Sequence, residues 1–412
     1  MNVLILSTFV SGGGAAAAAY KQLEALHRVG VPARMLVAAP LTGSDDCLSI
    51  RSVGGMRWRL FRYLEKLGTL LRVKDRSLLF RFSDATLGVE VADHPWVKWA
   101  DVVHIHWVQQ SFLSFSGLHS LLSLSDKRFF WTLHDLWPIT GGCHSPYVVG
   151  VSGTTLCGRF LQGCGECPLL PGQVEENYTR HHFDQKRRLP LDRVHFLGVS
   201  RPIVELAQKS PLIRRVSYLP NFYDPVLFSP VSGKRANEAS FRLLFVAARP
   251  DDPVKGPELL RDVLDRCCCL SESFRSRAVL VCIGRPKRPE VFRDWPISLE
   301  SHGAVLPEEL AEYYRTSALT LSTSRHETFG LTLLESQACG TPVCAFAVGG
   351  IPDVVPPESL VTPYDTLEFA QRILSYFDRQ KGSATSSPVT SVERFSQQVV
   401  LPKLLALYEA EG

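Results

Sequence analysis

The sequence predicts an α/β fold of two domains, each a parallel sheet covered by helices, facing one another across a cleft. Three observations predict it. The chain has 412 residues, and a domain takes roughly 100–200. Short apolar runs alternate with helix-patterned segments, the signature of a parallel sheet with crossover helices. That alternation stops at residues 217–240, rich in Pro and Ser, and then restarts. With 45% hydrophobic residues the chain can fill two ordinary cores. The expected domains are 1–219 and 220–412, with the last helix, about 391–412, returning to the first domain.

Taken in order, "NVLILSTF" is a strand and "AAAAAYKQLEALHRVG" a helix that stops at Gly30. "PARMLVAA", "DVVHIHW", "RFFWTLHD" and "VHFLGVS" continue the first sheet. In the second half, "FRLLFVAAR", "RAVLVCIG", "ALTLSTS" and "TPVCAFAVGG" are strands. "GPELLRDVLDRCCC", "EELAEYYRT" and "LTLLESQACG" are the helices between them. "KGSATSSPVTS", residues 381–391, reads as a loop. Ligands of such sheets bind beyond the carboxyl ends of the strands.

Bulk properties narrow the function. Net charge is +4, from 45 basic and 41 acidic residues, too balanced for a nucleic-acid binder. No run of 18 apolar residues predicts a membrane-spanning helix. "MNVLILSTFV" lacks a basic start and ends in "SGGG", so a buried strand and turn are expected rather than a leader. A cytoplasmic protein with mostly free thiols among its 11 cysteines follows.

Three motifs carry chemistry. Gly12, Gly14 and Ala17 fit the dinucleotide fingerprint, but the second strand ends "LVAAP" without the acid that a ribose would need. What remains is a glycine turn that lets backbone amides approach an anion. In "HETFGLTLLESQACGTPVCAFAVGG", Glu327 lies in a loop and Glu335 inside the next helix, whose first turn is expected to be Phe329, Gly330 and Leu331. Two carboxylates flanking an anion site suit a ligand with many hydroxyls, such as a sugar joined to a nucleotide diphosphate. In "FVAARPDDPVKGPELL", Arg249 and Lys255 are expected at the same strand-end face as counter-charges for a diphosphate. The competing expectation is that both pair with Asp251 and Asp252.

Together and in this order these pieces resemble glycosyltransferase family 4, retaining nucleotide-sugar transferases of the GT-B architecture, with two Rossmann-like domains. The E-x-x-x-x-x-x-x-E spacing of Glu327 and Glu335 is the most specific part; "PVKG", "SYLPN" and the glycine loop support it. The resemblance implies a UDP- or GDP-linked donor and no catalytic metal. It implies that Arg249 and Lys255 hold the diphosphate and that Glu335 binds the ribose. Glu327 would contact the sugar as a catalytic residue, and Gly13 and Gly14 would approach the donor from the first domain. His134, in "WTLHDLW", would be catalytic in the cleft, and His106, in "HIHW", a neighbour on the acceptor side. A glycan or lipid-linked acceptor and a role in bacterial surface polysaccharide synthesis are implied as well. Two features depart from the family: Asn221 is followed by Phe222 rather than glycine, and the first helix lacks an early basic residue. An epimerase or hydrolase on the same scaffold, or a metal-stabilised binding protein, are the alternatives.

Two stretches stand outside this scheme. "GGCHSPYVVGVSGTTLCGRFLQGCGECP" spaces Cys143, Cys157, Cys164 and Cys167 as C-x13-C-x6-C-x2-C. Its last pair has metal-knuckle spacing, so structural zinc, packed thiols and a disulfide all stay open. "MRWRLFRYLEKLGTLLRVKDR", residues 56–76, places Met56, Leu60, Tyr63, Leu64, Leu67, Leu70 and Leu71 at helical spacing among seven basic residues. Its apolar stripe is expected either to pack on its own domain or to lie peripherally on an anionic membrane at the cytoplasmic face.

Overall fold

The computed structural model describes residues 1–41, 48–72, 81–150, 153–170, 177–231, 240–380 and 392–410. The loop expected at 381–391, part of the expected linker and the end of the 56–76 stretch therefore lie outside the described residues. The chain divides into two compact units. One comprises Met1–Val148, Thr155–Pro220 and Leu401–Gly412, the other Val149–Thr154 and Asn221–Val400.

The first unit is built on strands β1 (Val3–Ser7), β2 (Ala33–Val37), β3 (Ile50–Ser52), β4 (Val102–Ile105) and β5 (Arg128–Leu133). Next in the chain come β6 (Tyr147–Gly150) and β7 (Gly153–Leu156), a separate two-stranded sheet whose Val149–Thr154 part counts with the other unit, then β8 (Val194–Gly198) and β9 (Val216–Tyr218). Apart from β6 and β7 these form one sheet in the order β3-β2-β1-β4-β5-β8-β9. Every pairing in it is parallel. All five residues of β1 are buried, as expected of a strand covered on both faces. The following helix, Gly14–Arg28, buries Ala16, Ala19, Leu23 and Leu26, the i, i+3, i+7 stripe of a one-sided helix. It ends where Gly30 takes φ +77°, a conformation that suits glycine.

The second unit repeats the plan. Its strands are β10 (Phe241–Val246), β11 (Ala278–Ile283), β12 (Ser298–His302), β13 (Leu319–Ser322), β14 (Val343–Phe346) and β15 (Leu360–Val361). Their order is β12-β11-β10-β13-β14-β15, again all parallel. Each sheet therefore reverses direction of winding next to its first strand, between β1 and β4 and between β10 and β13. That reversal opens the crevice where ligands of doubly wound sheets bind. Leu243, Phe245, Leu260, Leu280 and Leu321 centre the second core; Leu4, Leu6, Phe129, Trp131 and Phe196 centre the first.

The helix Gly55–Arg72 overturns the expectation that its apolar stripe packs inward. Its buried residues are Trp58, Glu65 and Thr69, on the opposite face. Trp58 donates from Nε1 to the Gln110 carbonyl at 3.0 Å. The Glu65 carboxylate accepts from the Asp84 amide (3.0 Å) and the Ser111 hydroxyl (2.6 Å). Satisfied polar groups thus anchor this helix, and its leucines remain outside.

Candidate active site

In the second unit the expected residues gather at the β10/β13 crevice. Arg249 follows β10 and Glu327 follows β13, with Lys255 in the short turn Pro253–Lys255 between them in the chain. The Asp252 side chain caps that turn by accepting from the Val254 amide at 3.0 Å. Lys255 donates from Nζ to Glu327 Oε2 at 2.6 Å. Burial opposes the charge on both groups, yet their attraction outweighs it. Lys255 is held above its ordinary pKa and Glu327 below. The neighbouring imidazole of His326 is pushed by burial down to about 4 and stays neutral.

The competing expectation of pairing with the two aspartates holds only for Arg249. Its Nη2 donates to Asp251 Oδ2 at 3.1 Å, and the same oxygen accepts from the Arg288 amide at 3.2 Å. Asp251 is fully buried, so it fixes both arginines from beneath. No periodicity marks Asp251 out in the sequence; its place between Arg249 and Lys255 was the available hint.

Gly330, at φ +98°, is the N-cap of the helix Leu331–Ala338, which has no side-chain cap. Phe329 is corrected: it lies before the cap, buried, with its ring edge-on to Phe395 at 5.8 Å. Gly330 and Leu331 supply the cap and first-turn amides of this helix end. Glu335 is 4% exposed and accepts from the Tyr314 hydroxyl at 3.1 Å. Gly349 holds the loops together. A Cβ there would stand 2.0 Å from the Glu327 carbonyl oxygen, which accepts from the Gly350 amide at 2.8 Å.

In the first unit the other expected residues meet at the β1/β4 crevice. Gly13 is the extended N-cap of the helix that starts at Gly14, and a Cβ at either position would meet nothing within 4 Å. His106 follows β4 and His134 follows β5. His106 Nδ1 and His134 Nε2 share a hydrogen bond of 2.8 Å, with the rings stacked at 5.0 Å. Burial carries His134 down to about 3 and His106 well below its ordinary value, so both are neutral near pH 7. His106 is 3% exposed and holds the His134 ring through this bond.

Two supporting groups were not anticipated. Asp135, pushed by burial up to about 6, accepts from Trp107 Nε1 (2.7 Å), Gln109 Nε2 (3.1 Å) and the Trp137 amide (2.9 Å). His104 shares hydrogen bonds with Thr132 (2.7 Å), Gln22 (2.8 Å) and Tyr408 (2.5 Å), the last from the C-terminal helix. The alternation in "HIHW", which puts His104 and His106 on one face of the strand, was the signal for this network.

The four cysteines of the glycine-rich run line a single small cavity of about 20 Å³ with Phe82, Phe160 and Pro168. Cys164 accepts from the Gly141 amide at 3.1 Å. Burial lifts its thiol to about 11, and raises those of Cys143 and Cys167 as well. Four thiols are a donor set that suits zinc. Among the described residues, however, no three His, Cys, Asp or Glu side chains are placed to share a metal ion. The four thiols are free, with no disulfide among them, and share this cavity without the geometry of metal ligands.

Comparison with known proteins bears on both halves. Residues 240–379 match the family model "Glycosyl transferases group 1". The D-inositol 3-phosphate glycosyltransferase of Streptosporangium roseum is 40% identical over 149 residues, 33% of this chain and 34% of that protein. The protein of the same name from Thermobispora bispora is 28% identical over 230 residues, 51% of this chain and 53% of that one. The chain thus spans about a third to a half of the length of these curated relatives. Among solved structures, sucrose-phosphate synthase from Thermosynechococcus elongatus superposes with a TM-score of 0.64 at 16% identity, covering 99% of this chain and 98% of that one. HepE of Anabaena, solved with UDP-glucose, gives 0.63 at 14% identity over the whole of both chains. Two parallel-sheet units with the same winding plan give the chain the two-domain GT-B fold of these solved structures, and residues 240–379 match the glycosyl transferases group 1 model.

Proposed function

We propose that the protein is a retaining glycosyltransferase, moving a sugar from a nucleotide diphosphate donor to a glycan or lipid-linked acceptor in polysaccharide synthesis. The observation that carries this reading is the Lys255–Glu327 pair at the β10/β13 crevice. A lysine already charged and held beside a carboxylate meets two parts of one ligand. The ammonium faces a phosphate, and the carboxylate accepts from sugar hydroxyls. Arg249, braced by Asp251, adds a second cation, and the uncapped amides at Gly330 and Leu331 add an anion-binding helix end. Glu335 is assigned the ribose. UDP-glucose in the solved HepE structure is consistent with such a donor.

In this reading the bond from the anomeric carbon to the phosphate oxygen breaks as the acceptor oxygen bonds to the same face of that carbon. The acceptor proton passes to the leaving phosphate oxygen, and the nucleoside diphosphate departs. Charge grows on the leaving diphosphate, so cations preorganised there lower the barrier. In the first unit, taken by itself, neutral His134, with its ring fixed by His106, and the open glycine turn at Gly13 and Gly14 are the groups assigned to substrate.

Calorimetry with UDP and GDP, followed by a nucleotide-sugar panel with and without glycan acceptors, tests the proposal. Binding of one nucleotide and acceptor-dependent release of it are expected. Turnover that no acceptor alters would point to an epimerase or hydrolase. Binding of neither nucleotide would refute the donor site.

A further inference from the structure

The helix Gly55–Arg72 presents an apolar face that its own unit does not cover. Met56 is 79% exposed, Leu60 54% and Leu71 79%, and Leu64, Leu67 and Leu70 are exposed beside them. At 3.6 residues per turn these side chains, with Tyr63 among them, span an arc of about 120°. The centre of that arc lies opposite the buried stripe of Trp58, Glu65 and Thr69. The exposure is thus the whole outward half of an ordered helix and not a frayed end.

Charge frames the arc. Arg57 borders it on one side and Arg59 on the other. The helix's single acid, Glu65, is buried and hydrogen-bonded within the unit. Arg62 and Arg72 point the other way, Arg62 over the Phe9 and Trp58 rings and Arg72 over Tyr178. Among the helix's own residues the outward half therefore combines a continuous apolar centre with basic borders and no acid. A large exposed apolar patch marks an interaction site. One bordered by cations, on a helix whose other face is anchored in its unit, fits an anionic bilayer surface, where leucines enter the acyl boundary and arginines meet phosphates. A second copy of this chain fits worse, because symmetric pairing of the faces would set the Arg57 and Arg59 borders against each other, and the helix itself offers them no exposed acid. Among the described residues no helix is long and apolar enough to cross a membrane, so contact through this face would be peripheral.

We propose that the Gly55–Arg72 helix docks the protein on anionic lipid by its Met56–Leu71 face. The proposal is independent of the transferase reading, since it needs neither donor nor acceptor. Its test is sedimentation of the full chain with vesicles of phosphatidylcholine alone and of phosphatidylcholine mixed with phosphatidylglycerol. The wild type is expected to pellet with the mixed vesicles only, and less so as salt rises. Leu67→Glu/Leu70→Glu should abolish pelleting, and Arg57→Gln/Arg59→Gln should weaken it roughly tenfold or more. Both double variants alter exposed side chains, and an unchanged thermal midpoint by circular dichroism confirms their fold. Absence of wild-type pelleting, or equal pelleting by the glutamate variant, overturns the proposal. So does a wild-type dimer in light scattering that the glutamate variant dissolves while neither binds vesicles. The arginine variant and the salt dependence decide the matter should the glutamate variant fold poorly.

Discussion

Replacing Lys255 by methionine separates a donor-binding lysine from a merely structural one. The wild-type ammonium donates to Glu327 at 2.6 Å, and both side chains are partly exposed, at 32% and 24%. As a structural ion pair at that exposure it is worth about 0.2–1 kcal/mol, which moves the thermal midpoint by only a few degrees. As a counter-charge to the leaving diphosphate it supplies a hydrogen bond to a charged group, about 1.5–3 kcal/mol. That range corresponds to a fall of roughly 10- to 150-fold in kcat/KM. The two roles therefore differ by readout: small in melting, large in transfer. The substitution has a second consequence. Burial pushes Glu327 upward and Lys255 is what holds it down, so in Lys255→Met the carboxyl protonates at higher pH. Activity should then fall further as the medium is made acidic, with its midpoint displaced toward neutrality. Lys255→Met/Glu327→Gln should lose less than the sum of the single losses, because each single change strands its partner. The assay is release of nucleotide from the donor that the panel identifies, with thermal melting in parallel. A purified Lys255→Met protein with kcat/KM within twofold of wild type would refute the reasoning.

Other outcomes follow from the same geometry. Glu65 is raised from 4.5 to about 7 in the folded chain, chiefly by burial, so the folded state holds its proton more tightly than the unfolded state. Its stabilising share is complete below pH 4.5 and is lost as pH rises through 7, an effect of about 3 kcal/mol at most; Glu65→Gln should flatten that slope in denaturant titrations, and an unchanged slope would exclude Glu65 as its source. Gly349→Ala should lower the melting midpoint and the activity together, because its Cβ would meet the Glu327 carbonyl at 2.0 Å. Gly13→Ala meets nothing within 4 Å and should melt like the wild type within about 0.5 kcal/mol; weakened nucleotide-sugar affinity in it would support the donor assignment, and unchanged affinity would remove Gly13 from it. The buried thiol of Cys143 and the partly buried one of Cys164, raised by desolvation, should react slowly with Ellman's reagent in the native protein and fast on unfolding; rapid native reaction would show that the cavity opens.

Much of the fold was legible because buried parallel strands announce themselves locally. "NVLILSTF" is apolar on both faces and needs no distant partner to be recognised. The short strands β3, β12 and β15 were missed. Each has only two to five residues, and their pairing depends on a neighbour strand rather than on their own pattern. Arg249, Lys255 and Glu327, which spacing put at one strand-end face, do lie beside the β10/β13 crevice. Phe329 was placed in the helix's first turn, whereas the helix starts after the glycine cap at Gly330 and the Phe329 ring lies in the core.

The sequence alone therefore determined the alternation of elements, the two-unit plan and the residue types that could face a diphosphate, since these rest on periodicity and side-chain chemistry. Only the tertiary structure decided which charges pair. Lys255 takes Glu327, 72 residues away, rather than its neighbour Asp252, because the pairing of β10 and β13 brings the two loops to one crevice. It also decided which side of the Gly55–Arg72 helix is inside. An apolar stripe states a preference for burial, but Glu65 finds Ser111 and the Asp84 amide, and Trp58 finds the Gln110 carbonyl. Those satisfied polar groups turn the leucines outward, a choice that depends on partners the helix's own sequence does not contain.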